Sequence, residues 1–326
     1  VAGRRNRPAA WGLAAWGIAA MGGAGLPVAA MAAQDTVPRL CNHERVAQVP
    51  LRDDGGYLSI VVSIAGHDLS ALVDTGSDGG LLTPDMVGYL RLRLDPDHET
   101  VIHGTGGMAQ ATPNALVPDL RVGNVDFGAR SVPVGELPGQ PMIHPPVAGL
   151  LGGDILSRFD LDMDVPGGML TLWNIQHGSM ACAPPPAWDG PYETVPLRRQ
   201  DNRFLLEVKL DGRPVTALLD SGARSRIVSP EVARRAGVSQ SQLDRDPGGV
   251  TASVDGHKDI YHWHRFDSLQ VGHELERNVT LTVAPLREHL EMLLGSDWFA
   301  THRVWISYAT NQIFIRPAPR QAPGKG

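Results

Sequence analysis

Two short motifs carry the residue types that hydrolytic chemistry needs. Asp74-Thr75-Gly76-Ser77 and Asp220-Ser221-Gly222-Ala223 each set a carboxylate after two apolar residues and before a hydroxyl and a glycine. The glycine lets a turn bend tightly and lets backbone approach backbone. The Thr or Ser hydroxyl is suited to bond across to an opposite loop and hold the pair in register. If the motifs meet about a pseudo-twofold axis, Asp74 and Asp220 face each other. Two carboxylates about 3 Å apart do not both ionise readily, so they share one proton. The ionised member takes a proton from a water between them, and the protonated member hydrogen-bonds a substrate carbonyl. Water activated this way attacks a peptide bond with no covalent intermediate. No cofactor and no metal is expected.

The elements that must position these motifs come from an internal repeat. Residues from Leu58 to Gly76 lie over those from Phe204 to Gly222 without a gap, at a shift of 146. The match continues from Thr83-Pro84-Asp85 to Ser229-Pro230-Glu231. Leu150-Leu151-Gly152-Gly153-Asp154 then lies over Leu293-Leu294-Gly295-Ser296-Asp297, at a shift of 143. One chain therefore holds two copies of one lobe, over 57–173 and 203–316. The intervening 174–202, with Pro184-Pro185-Pro186, reads as an extended linker. Residues 34–56 form an N-terminal segment and 317–326 a flexible tail. With both copies in one chain, a monomer suffices to assemble the site.

Within each copy the pattern is strand-like. The runs Leu58 to Ile64 and Phe204 to Leu210 are β-rich, and Gly66 and Gly212 supply hairpin turns. Ala71-Leu72-Val73 and Ala217-Leu218-Leu219 are buried runs leading into the motifs. Thr83-Pro84 and Ser229-Pro230 predict short helices near 84–91 and 230–236, each a hydroxyl N-cap followed by proline. Residues 169–173 and 312–315 read as closing strands.

These four coordinated pieces resemble the aspartic peptidases of the retropepsin-like group, relatives of the pepsins, in a single-chain, two-copy bacterial form. The resemblance covers nearly all of 57–316. It implies an all-β, bilobal acid-protease fold: two pseudo-twofold-related, β-barrel-like lobes with a few short helices. It implies that Asp74 and Asp220 are the catalytic dyad of an endopeptidase and that Thr75, Gly76, Ser77, Ser221, Gly222 and Ala223 support it. It also implies a flap over bound peptide. His103-Gly104-Thr105-Gly106-Gly107, followed by Met108, resembles the pepsin flap run Tyr-Gly-Thr-Gly-Ser-Met, with His103 in the tyrosine's place. Gly248-Gly249-Val250 through Gly256 occupies the equivalent position of the second copy, as a second flap or a plain hairpin.

The N-terminal 33 residues read differently. Arg4, Arg5 and Arg7 precede an Ala/Gly-rich apolar stretch ending in Ala30-Met31-Ala32, the layout of a cleaved secretory signal peptide. Its glycines and Pro27 make a poor spanning helix, so no lasting membrane anchor is expected. Export would place the protein in the periplasm or outside the cell. It would permit a disulfide between Cys41 and Cys182, the two cysteines of the chain. Two buried free thiols are the alternative.

Composition bounds the remaining classes. With 42% hydrophobic and 20% charged residues, the chain is neither disordered nor a coiled coil. A net charge of −6 offers no basic surface for nucleic acid. His257, His262 and His264 cluster, but they fit a half-exposed strand better than a metal site. Asp154 and Asp297 read as helix N-caps. Asp160, Asp162 and Asp164 alternate with apolar residues and read as one solvated strand face. Ser77 and Ser225 have no His/Asp partners in the order a serine hydrolase needs. The competing reading is a non-catalytic envelope protein that binds extended peptide by strand addition. Both aspartates and both hydroxyls are present, which favours the enzyme.

Overall fold

In a computed structural model of the chain, residues 44–103, 109–137, 141–174, 188, 190–252, 258–286 and 289–318 are described. The proposed leader, Cys41, Cys182 and the glycine-rich flap tip at 104–108 lie outside them. The fold is all-β and bilobal, with five short helices among the described residues.

The repeat is visible in the topology of each lobe. In the first, His67–Val73 runs parallel to Val147–Leu151, pairing Val73 with Leu151. Leu81–Leu82 lies antiparallel on the other side of Val147–Leu151. In the second, Arg213–Leu219 runs parallel to Met292–Leu294, pairing Leu219 with Leu294. Ile227–Val228 lies antiparallel beyond it. Parallel neighbours are buried on both faces, which explains the unbroken apolar runs before each aspartate. The helices Pro84–Tyr89 and Pro230–Arg235 start as expected: the Thr83 and Ser229 hydroxyls accept from the amides of Met86 and Val232. Among the described residues, no helix is long and apolar enough to cross a membrane.

A six-stranded sheet joins the lobes. Its central pair is Phe159–Asp164 of the first copy against His302–Ser307 of the second, antiparallel, with Asp162 opposite Trp305. The closing strands Met169–Asn174 and Gln312–Pro317 flank that pair. The edges come from outside the expected lobes. Arg45–Pro50 pairs with Met169–Asn174, and Glu193–Pro196 pairs with Gln312–Pro317. The stretch read as a linker therefore contributes a sheet edge, and a further strand, Arg198–Gln200, pairs with Arg203–Leu210. The repeat itself reaches further upstream than position 58. Val49-Pro50-Leu51-Arg52 lies over Val195-Pro196-Leu197-Arg198 at the same shift of 146. Residues 45–53 are woven into two sheets, so their removal would strip an edge strand.

The alternation Asp160, Asp162, Asp164 is not a solvated face. The six-stranded sheet is covered on both sides, and Asp160 and Asp162 are buried. Asp160 accepts from the Ser307 hydroxyl at 2.9 Å and the Ala309 amide at 3.1 Å. Asp162 takes a two-pronged contact from Arg303, at 2.9 and 2.7 Å, and the guanidinium lies over the Trp188 ring. A buried carboxylate survives only with such partners. Arg303→Met is expected to cost about 3–5 kcal/mol, because it strands Asp162 without a counter-charge. Urea unfolding at neutral pH measures this, and Asp162→Asn in the same chain should recover most of the loss. A cost well under 1 kcal/mol would show that the pair does not carry that carboxylate.

Candidate active site

The strands His67–Val73 and Arg213–Leu219, each in its own sheet, run into the two motifs, and the motifs meet each other. The first backbone amide of each motif is held by the supporting segment: Asp74 N–H donates to Leu151 O at 3.0 Å, and Asp220 N–H to Leu294 O at 3.1 Å. Gly152 and Gly295 close these supports, where a Cβ would come within 2.1 Å of Gly79 O and 2.2 Å of Ser225 O.

The hydroxyls form a reciprocal clasp between lobes. Thr75 Oγ1 donates to Leu219 O at 2.8 Å and accepts from the Ser221 amide at 3.0 Å. Ser221 Oγ donates to Val73 O at 2.6 Å and accepts from the Thr75 amide at 3.1 Å. Each hydroxyl thus satisfies one donor and one acceptor of the opposite motif, with both side chains buried. Such fully satisfied buried networks fix one geometry.

That clasp presses each glycine against the other lobe's carboxyl. A Cβ on Gly76 would sit 2.4 Å from Asp220 Cγ, and one on Gly222 would sit 2.4 Å from Asp74 Cγ. The two carboxyls therefore act on each other's protonation. Burial, and then the Asp220 charge, push the Asp74 carboxyl well above the usual range, against the pull of the Gly76 amide. Asp220 is also raised by burial. The Ala223 and Gly222 amides pull it back, followed by its bond to Asp74 and the charge of Arg203. Asp220 Oδ1 accepts from Gly222 N–H and Ala223 N–H, both at 3.0 Å. Asp74 Oδ1 accepts from Gly76 N–H at 2.9 Å. Ser77, expected beside the dyad, turns its hydroxyl to Gly79 O at 2.8 Å.

Two further contacts tie the lobes beside the dyad, and sequence reading missed both. Asp78 meets Arg203 Nε at 3.0 Å and accepts from the Asn202 amide at 3.0 Å. At the related position Arg224 donates to Gly55 O at 2.9 Å and lies over the Tyr57 ring. The shift of 146 already sets Asp78 against Arg224 and Tyr57 against Arg203, so the contacts follow the repeat while the charges do not.

The flap residues are placed in part. Leu94–His103 and Ala109–Val117 form an antiparallel hairpin, with His103 opposite Ala109. Gly104, Thr105, Gly106 and Gly107 are outside the described residues. The second copy has its own hairpin, Gly248–Ala252 against Lys258–Val271. Asp154 and Asp297 are not N-caps: the capping positions are Gly152 and Gly295. Asp154 accepts from Gly80 N–H at 2.8 Å and pairs with Arg130, while Asp297 pairs with Arg226. The glycines preceding these helices leave no side chain to cap, so the acids turn to the neighbouring loop. His264 Nδ1 lies 2.6 Å from Asp246. Among the described residues no group of three or more His, Cys, Asp or Glu could hold a metal.

A site of this architecture defines an aspartic protease, and comparison with known proteins agrees. The aspartyl protease family (Asp_protease_2) matches residues 60–155, and the gag-polyprotein aspartyl protease family matches 206–301. The chain carries two retropepsin-like aspartyl protease domains in tandem. It is similar to DNA damage-inducible protein 1 of Neurospora crassa, 32% identical over 111 residues, which are 34% of this chain and 24% of that protein. It is also similar to the Kluyveromyces lactis protein of that name, 30% identical over 117 residues, or 36% of this chain and 27% of that protein. The chain spans about a quarter of the length of these curated relatives. They overturn the expectation of a periplasmic or secreted bacterial protein. Both relatives are eukaryotic, and eukaryotic cells have no periplasm. The Ala/Gly-rich N-terminus is a compositional pattern, and composition alone does not specify export.

Proposed function

We propose that the protein is an endopeptidase in which Asp74 and Asp220 activate water for attack on a peptide bond. The observation that carries this reading is the pair of buried carboxyls brought together across the two lobes by the Thr75–Ser221 clasp. Burial and mutual repulsion keep one proton on the pair. The ionised carboxylate serves as general base toward a water between the lobes. The protonated partner donates to the scissile carbonyl as it gains negative charge, and the proton later passes to the leaving amine. Thr75, Gly76, Ser221 and Gly222 position the pair. An extended peptide would lie between the lobes, its backbone hydrogen-bonding to the strands Leu94–His103 and Gly248–Ala252. Both half-sites lie in one chain, so a monomer is the active species.

The test is incubation of the purified protein with a mixed peptide library from acid to neutral pH, with products read by mass spectrometry. Cleavage at internal bonds by a species that elutes as a monomer is the expected result. A folded protein that binds peptides and cuts none at any pH would replace the peptidase by a peptide-binding protein.

A further inference from the structure

The two copies differ where their equivalence should make the dyad symmetric. Tyr57 stands in the first copy where Arg203 stands in the second. Arg203 is largely enclosed, held at 3.0 Å to Asp78 of the opposite lobe. Its charge is therefore fixed in place beside the second motif and poorly screened. The first motif has no enclosed counterpart among the described residues. Arg224, over Tyr57, is exposed and its charge is spread into solvent. The amides do not account for the difference: Asp74 is approached by those of Gly76 and Ser77, and Asp220 by those of Gly222 and Ala223. The buried phenol of Tyr308 nearby is neutral, because burial raises it out of the ordinary range.

We propose that Arg203 is a positioning residue that polarises the dyad, holding Asp220 as the ionised base and leaving the shared proton on Asp74. This rests on the peptidase reading above. Asp74 then donates to the substrate carbonyl and Asp220 takes the proton from water. A cation favours the ionised form of a neighbouring carboxyl, and an anion disfavours it. Arg203 and Asp78 therefore act on the dyad with opposite signs although they form one ion pair. That separates an electrostatic role from a structural one. Loss of either partner breaks the same lobe contact, but only an electrostatic role moves the dyad in opposite directions.

The experiment compares the full-length protein with Arg203→Met, Arg203→Lys and Asp78→Asn. Two readouts are used: the pH profile of peptide cleavage and NMR titration of carboxyl-labelled aspartates. Removing the cation should move the first titration of the dyad, and the acid limb of activity, to higher pH by about half a unit. Removing the anion should move both to lower pH by a smaller amount, because Asp78 is more exposed than Arg203, and Arg203→Lys should stay close to the parent. In addition, Asp74 left alone by Asp220→Asn should titrate above Asp220 left alone by Asp74→Asn. Shifts in one common direction, no shifts, or the reverse order of the lone carboxyls would overturn the proposal. If Arg203→Met does not fold, Asp78→Asn and the lone-carboxyl order still decide it. If no variant cuts peptide, the peptidase reading fails while the NMR titrations still test the polarity.

Discussion

Asp74→Asn leaves a folded protein whose peptide cleavage is lowered by about three orders of magnitude or more, and Asp220→Asn does the same. General acid or base catalysis by a positioned group contributes about 10²–10⁴-fold, and here one proton serves both roles, so neither carboxyl works alone. The same substitution has a second, opposite consequence. Burial raises the Asp74 carboxyl, so folding holds its proton more tightly than the unfolded chain does. A raised carboxyl costs stability as pH climbs from the ordinary carboxylate range through the raised value. Asn keeps the acceptor for the Gly76 amide and removes the charge. Asp74→Asn should therefore melt higher than the parent at neutral pH, with the difference vanishing in acid, where the parent carboxyl is protonated. Each kcal/mol is worth about 2–4 °C in a domain of this size, and calorimetry against pH reads it. Residual activity near the parent level would end the shared-dyad mechanism. A variant less stable than the parent at neutral pH would show that burial is not what raises Asp74.

Gly222→Ala removes activity by a different route. The new methyl would lie 2.4 Å from Asp74 Cγ and within 2.6 Å of both carboxyl oxygens, far inside van der Waals contact. The strand before Asp74 is fixed by its bond to Leu151 O, so the carboxyl must rotate away or the lobes must part. Overpacking of this kind costs about 1–3 kcal/mol, and a displacement near 1 Å at the chemistry costs about 100-fold in rate. Gly76→Ala, which points at Asp220, should match it. Gly88→Ala is the control, because nothing lies within 4 Å of its added methyl. Melting temperature and cleavage rate for the three variants distinguish the outcomes. If Gly222→Ala keeps parental activity, the lobes do not approach as closely as this geometry requires.

The class of protein and the duplication were legible in the sequence. Asp74 and Asp220 stood in the same local context, and hydroxyl, glycine and apolar lead-in recurred in step. Helix starts at Thr83 and Ser229 were legible because capping is local: a side chain meets an amide three residues on. Strand runs before the motifs were legible because burial on both faces needs unbroken apolar residues. Positions 49–52 and 195–198 also repeated, and that signal was available but short. What depends on partners distant in sequence emerged only from the folded chain. Asp160 and Asp162 look solvated in their alternation and are buried, because a strand from the other copy and Arg303 cover them. Asp154 and Asp297 look like caps, but the loops packed against them hold Gly80 and Arg226 as better partners. The stretch read as a linker became a sheet edge, since only the assembled lobes present an open strand for it to pair with. The charge asymmetry at Asp78, Arg203, Tyr57 and Arg224 was written in the repeat. Its meaning appears only when the lobes meet, because an ion pair is a property of distance in space.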